Sequence, residues 1–171
     1  MAPPLRSAAR FGISYRPAGE ADVPFLGSVY ASTRAEEVAA TGWPLEQQHA
    51  FLMQQHEAQH SYYANAYPDV ERLVIVQGGA DVGRLYVGEW EREVRIIDIS
   101  LLPEARGKGF GEAILRDVGE DAASRGKLVS IHVEKFNPAR RLYVRLGFAP
   151  VEDKGIYELM EWTPPAPGQE R

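Results

Sequence analysis

The chain has 171 residues, 44% of them hydrophobic, which is enough for a single domain that buries most of its apolar surface. Its 19 basic and 24 acidic residues give a formal charge of -5, which argues against a general binder of nucleic acid or of an anionic membrane surface. Zero cysteines exclude disulfides, thiolate metal sites and cysteine nucleophiles, and no stretch approaches the roughly 18 apolar residues of a membrane span, so a soluble, cytoplasmic protein is expected.

In chain order, residues 1–10 mix small residues with Pro and read as a flexible tail. The run ISYRPA from Ile13 alternates like a short strand, and the next segment reads as a helix ending before Gly42. A second helix opens at Pro44 and carries Leu45, Phe51, Leu52, Tyr62 and Tyr63. From Glu71 the period changes to that of strands: RLVIVQGG, DVGRLYVGEW and EVRIIDISLL are separated by short Gly-containing turns and predict an antiparallel meander. Phe110, Ile114, Val118 and Ala122 recur every four residues, predicting a helix that stops at Gly126, and KLVSIHVEKF predicts another strand. In NPARRLYVRLGF, Asn137 is placed as N-cap, Pro138 at the first helical position and Gly147 at the stop. A hairpin closes the order βααβββαβαββ, and residues 164–171 read as a second tail. Sequential strands of this kind indicate an α+β domain over 11–163 rather than a doubly wound parallel sheet.

Gly107, Gly109 and Gly111 fall between a strand and a helix, where each glycine costs about 1 kcal/mol relative to alanine if it is helical. A Walker loop fails because Lys108 is followed by Gly109, and a dinucleotide fingerprint starting at Gly107 fails because its sixth residue is Glu112. Two readings remain open: a tight strand-to-helix turn, or a cradle of backbone N–H groups for a phosphate at a helix N-terminus.

Arg106-x-x-Gly109-x-Gly111 after a hydrophobic strand resembles the acetyl-CoA motif of the GCN5-related N-acetyltransferase (GNAT) family, and NPARRLYVRLGF resembles that family's second signature. The resemblance covers Glu71 to Trp162 well; Ile13 to Pro68 fits in having a strand followed by two helices. It implies a splayed, mostly antiparallel sheet flanked by helices, and an N-acetyltransferase moving an acetyl group from acetyl-CoA to a small-molecule or peptide amine in a ternary complex. It also implies that the pyrophosphate sits on Arg106, Gly107, Lys108, Gly109, Phe110 and Gly111. Leu101 and Leu102 would offer backbone groups to the pantetheine arm, and Asn137, Arg140 and Tyr143 would contact the cofactor from the second motif. No metal, membrane or nucleic-acid partner is implied, and a homodimer is left open.

Tyr143 matches the family's general acid for the departing thiolate; its reference pKa of about 10 against about 8.5 for the thiol is read as compatible with donation near neutrality. The alternative is a core tyrosine in the stripe Ala139, Leu142, Tyr143 and Leu146. Asn137 is an ordinary N-cap as well as a cofactor contact, and its spacing to Tyr143 is one residue shorter than in many members. For the base, His132 and Glu134 share one face of a strand, and Asp98 is an acid inside an apolar strand; the sequence does not choose between them. Trp43, Phe51, Tyr62, Tyr63 and Tyr67 with Arg34, Glu36 and Glu37 are expected around the acceptor or in the core, and the acidic balance favours a cationic amine.

Two alternatives stand beside this reading. His56-Glu57-x-x-His60 puts two imidazoles on one helical face, as in a zinc hydrolase, but Tyr63 and Ala66 stand where the longer zinc motif needs Gly and His. A non-catalytic acyl-CoA-binding module would share both family motifs.

Overall fold

The computed structural model describes residues 2–165. Its frame is one seven-stranded sheet of β1 (Ile13–Pro17), β2 (Glu71–Gln77), β3 (Ala80–Glu89), β4 (Glu93–Leu101), β5 (Leu128–Glu134), β6 (Ala149–Lys154) and β7 (Tyr157–Trp162), in spatial order β1-β2-β3-β4-β5-β7-β6. Helices α1 (Val23–Ala39), α2 (Leu45–Ala66), α3 (Phe110–Ser124) and α4 (Arg140–Arg145) interleave with it in the expected order βααβββαβαββ. Neighbouring strands are antiparallel except β4 and β5, which are parallel because α3 provides the long crossover between them.

The two-residue period of the strands distributes their side chains between two packed faces. On one face Leu73, Ile75, Leu85, Ile96, Val129 and Ile131 meet Ile114, Val118 and Ala122 of α3 in the main core. On the other, Val74 and Tyr86 meet Leu26 of α1. Helix α2 buries little: its Leu52 packs with Tyr30 and Val38 of α1.

The feature that opens the sheet is a break in β4. Tyr86 pairs with Asp98 but Val87 pairs with Ile96, so Ile97 is an extra residue, a β-bulge that bends the strand. The parallel pairing of β4 with β5 runs from Glu93↔Leu128 to Ile96↔Ile131 and ends there. Beyond that point β5 pairs only with β7, as His132↔Leu159 and Glu134↔Tyr157. The β4 end diverges toward β3 instead, and Gly83 is what admits it: a Cβ there would stand 2.3 Å from the Ser100 carbonyl oxygen.

Two boundaries differ from the sequence expectation. Arg6 to Arg10, expected within a flexible tail, is anchored: Asp117 of α3, 1% exposed, accepts hydrogen bonds from the backbone N–H of Arg6 (3.0 Å), Ser7 (2.7 Å) and Ala8 (2.9 Å). Ala8 is fully buried at the start of a short 3-10 turn, Ala8–Phe11, so the fold begins before residue 11. A buried carboxylate needs donors, and the chain turning into the 3-10 helix supplies three in succession. Helix α4 starts at Arg140 rather than Pro138, because Asn137 first closes a turn in which its carbonyl accepts from Arg140 N–H and its Oδ1 accepts from Ala139 N–H. Of the tail expected over 164–171, residues 166–171 lie outside the described residues.

Replacing Asp117 by Ala should therefore lower unfolding free energy by about 3 kcal/mol, read from urea denaturation, since three backbone donors lose their partner at once.

Candidate active site

The end of β4 leads through a 3-10 turn, Pro103–Ala105, into the glycine loop and α3. Gly107 and Gly109 lie in the left-handed region at φ 72° and 87°, and Gly109 is the residue immediately before α3. A side chain at Gly109 would be strained by its φ. No side chain caps α3, and its first intrahelical bond is Ala113 N–H to the Gly109 carbonyl. The N–H groups of Phe110, Gly111 and Glu112 thus open the helix without intrahelical acceptors, which with the helix dipole makes a place for an anion. Phe110 turns its ring into the core, and Lys108 stands exposed beside the loop.

An added Cβ at Gly111 would meet only ordinary contacts, 3.8 Å from Leu142 Cδ2 and 4.0 Å from Leu101 Cδ1. The protein itself therefore does not require glycine there. Those distances also show that the end of β4, the start of α3 and the second-motif helix α4 converge on one point. Arg106 is committed within the protein: its Nε donates to the Leu101 carbonyl at 2.9 Å and its Nη2 to Ser32 Oγ of α1 at 3.1 Å. Arg140 is ion-paired with Glu158 of β7, and Asn137 is exposed with its oxygen used at Ala139.

Tyr143 is 5% exposed, with its ring edge against Phe148 at a centroid distance of 5.8 Å. Burial, then the nearby Asp98 carboxylate, push its phenol above the ordinary tyrosine range, so it is protonated at neutral pH.

The three acid–base candidates fall into different surroundings. Asp98 accepts from Arg84 Nη2 at 2.5 Å and from Ser100 Oγ at 2.7 Å. Arg84 is 2% exposed, lies near the Tyr30 and Tyr86 rings, and also donates to Gln59, so Asp98 is the counterion of a buried guanidinium. His132 follows the last parallel pair, with Nδ1 3.5 Å from Arg95 Nη1 and Nε2 buried without a partner. Burial, then Arg95 and Lys154, lower its pKa, leaving a neutral imidazole. Glu134 lies on the same face and lines an open cleft of about 500 Å³ with Tyr30, Arg34 and Glu37 of α1, Gln55 of α2, and Ile156 and Tyr157 at the β6–β7 turn. There it is ion-paired with Arg34 and accepts from the Tyr157 hydroxyl at 3.4 Å.

Residues 68–150 match the family model of the acetyltransferase (GNAT) domain. That stretch is identified as a GNAT acetyltransferase domain. Solved structures share this GNAT fold: the PaiA N-acetyltransferase of Thermoplasma acidophilum in complex with coenzyme A (TM-score 0.65, 16% identity, 88% of this chain and 98% of that one), an acetyltransferase of Thermus thermophilus (0.62, 20%, 88% and 96%), and YncA of Salmonella typhimurium with acetyl-CoA (0.52, 20%, 89% and 94%). No curated protein matches the chain by sequence.

Of the residues expected around the acceptor or in the core, Arg34 and Glu37 line this cleft. Tyr62, Tyr63 and Tyr67 instead form an aromatic cluster that reaches Trp90, and Phe51 packs on Trp43. Tyr30, Gln55, Ile156 and Tyr157 were not singled out by the sequence, because they carry no motif and meet only through the tertiary fold. The zinc-like pair is also placed: His56 is buried over Gly27 of α1, 6.0 Å between ring centroids from His60, and among the described residues no three His, Asp or Glu side chains gather as a metal site.

Burial, then Arg84 and His60, hold His56 down at about 4 from its ordinary 6.5. A depressed folded-state pKa means that the unfolded chain binds the proton first, so His56 supports the fold above pH 6.5 and loses that contribution as pH falls toward 4. Between those pH values His56→Gln should show an acid-induced loss of stability smaller by on the order of 2 kcal/mol, measured by urea denaturation at each pH.

Proposed function

We propose that the protein transfers an acetyl group from acetyl-CoA to a primary amine that enters the cleft beside Glu134. The observation that supports this most directly is the convergence of an uncapped, glycine-led helix N-terminus, the open end of β4 and the Tyr143 helix, in a chain whose residues 68–150 match the GNAT domain. When bound, acetyl-CoA supplies a thioester carbonyl carbon open to attack by a neutral amine.

The backbone amides from Gly107 to Gly111, with the Lys108 ammonium, hold the pyrophosphate; Arg106 braces the loop against β4 and α1. Leu101 flanks the pantetheine arm where β4 has parted from β5, whereas Leu102 is held within the protein, its N–H donating to the Val82 carbonyl and its carbonyl accepting from Ala105 N–H. The Asn137 amide nitrogen adds a donor at the start of the second motif, and Arg140, held by Glu158, lies on the same turn.

Glu134 is the group best placed to take the amine proton. Asp98 is occupied by Arg84, and an imidazolium at His132 would form beside Arg95 with Nε2 closed off from the cleft. The nitrogen forms the amide bond, the carbon–sulfur bond breaks, and the nitrogen's proton passes to Glu134 and on to water. Raised further by burial, the Tyr143 phenol is a weaker acid than the thiol it serves, so complete proton transfer is uphill. Its role is to donate a hydrogen bond to the departing sulfur, and the thiolate takes its proton from solvent on release.

At 100 times its Kd, acetyl-CoA should stabilise the protein by about 2.7 kcal/mol, a melting shift of roughly 5 to 10 °C; no shift would sink the reading. Tyr143→Phe keeps the packing and should lower kcat about 100-fold while still binding acetyl-CoA, measured by thiol release and calorimetry. Binding of acetyl-CoA with no thiol release across a broad amine panel would instead make the protein a non-catalytic acyl-CoA-binding module.

A further inference from the structure

The acceptor cleft holds an ion pair whose two members are only partly engaged. Arg34 Nη1 donates to Glu37 at 3.2 Å and its Nη2 to Glu134, which uses two of the five N–H groups of a guanidinium. Glu134 receives both Arg34 and the Tyr157 hydroxyl on the same oxygen, Oε1, which leaves Oε2 available. Both side chains are about three-quarters buried, at 27% and 26% exposure, yet both line the cleft. Charges in that setting interact more strongly than on an open surface, while the open side remains accessible to a ligand.

A guanidinium with spare donors beside a carboxylate with a spare oxygen is the complement of a molecule carrying the opposite pair. A simple amine would pair with Glu134 and leave Arg34 with its spare donors facing the cleft. A diamine would reach toward Glu134 and Glu37 but would bring its second cation against the guanidinium that lies between them. A molecule with one ammonium and one carboxylate exchanges the Arg34–Glu134 pair for two intermolecular ones and engages the spare donors of Arg34, while the charge of Glu37, 67% exposed, stays screened by solvent.

We propose that the acceptor is a zwitterionic amino acid, its carboxylate bound by Arg34 and its amine by Glu134. The inference rests on reading this cleft as the acceptor site. The same ion pair then becomes a specificity device: a carboxylate arriving at Arg34 draws the guanidinium from Glu134, and the freed oxygen faces the amine that is to lose its proton. Tyr30, whose hydroxyl donates to Gln55 Oε1 at 3.1 Å, and Tyr157 line the same cleft as the two charges.

The test measures thiol release from acetyl-CoA with the standard L-amino acids, their carboxamides, the corresponding decarboxylated amines and simple diamines. Expected for the best-used amino acid is a kcat/KM at least 10-fold above that of its carboxamide, carried mainly by KM. In Arg34→Gln this ratio should fall to near one, and Arg34→Lys, which keeps the charge, should restore part of it. Equal use of acid and carboxamide, a preference for diamines, or a ratio that survives Arg34→Gln would overturn the proposal. So would a panel of amino acids that is silent while acetyl-CoA still binds. Failure to bind acetyl-CoA would overturn the acetyltransferase reading beneath it, so the two failures are told apart by the melting shift.

Discussion

The structure turns on the extra residue Ile97 in β4. By displacing the register with β3, the bulge bends β4 away from β5 after four parallel pairs, and everything at the site follows from that divergence. It frees the edge of β4 that leads to the glycine loop. It also separates His132 and Glu134 from the strand beside them, so their face meets α1 and the β6–β7 turn. Gly83 permits the displacement, because any larger residue would meet the Ser100 carbonyl. A site between two strands of one sheet needs such a break, since an unbroken ladder would satisfy the backbone groups that a ligand must engage.

The divided sheet also sorts the charges. Arg84, buried between the sheet and α1, would be costly alone, and Asp98 neutralises it with Gln59 as a further acceptor. That pair commits Asp98 to Arg84, and its carboxylate contributes to keeping the Tyr143 phenol protonated. The Arg34–Glu134 pair has the same chemistry but lines a cleft. Burial alone separates a structural ion pair from one that can meet a ligand.

On the opposite face, Asp117 ties the N-terminal segment to α3. The segment ends at Phe11, whose ring meets Phe110 edge-on at 5.5 Å, and an added Cβ at Gly109 would stand 3.4 Å from it. Residues that read as a tail thus support the loop at the helix start. Nothing in their composition announced this, because the anchoring is done by backbone N–H groups, which every residue but proline carries.

The sequence by itself determined the order of elements, the glycine loop and the motif around Tyr143, since strand alternation, four-residue helical recurrence and turn glycines are local properties of the chain. It also named Arg34, Glu37, Glu134, His132 and Asp98, but as residue types without partners. Their partners come from the tertiary fold: Asp98 is paired with a buried arginine 14 residues earlier in the chain, and Glu134 with an arginine 100 residues earlier, in a cleft. It likewise sets His56 against Gly27 of α1, with the His60 ring beside it. Local pattern fixes which residues share a strand or a helix face, whereas the ionic partner and the burial of a side chain depend on segments distant in sequence, and those two quantities set its chemistry.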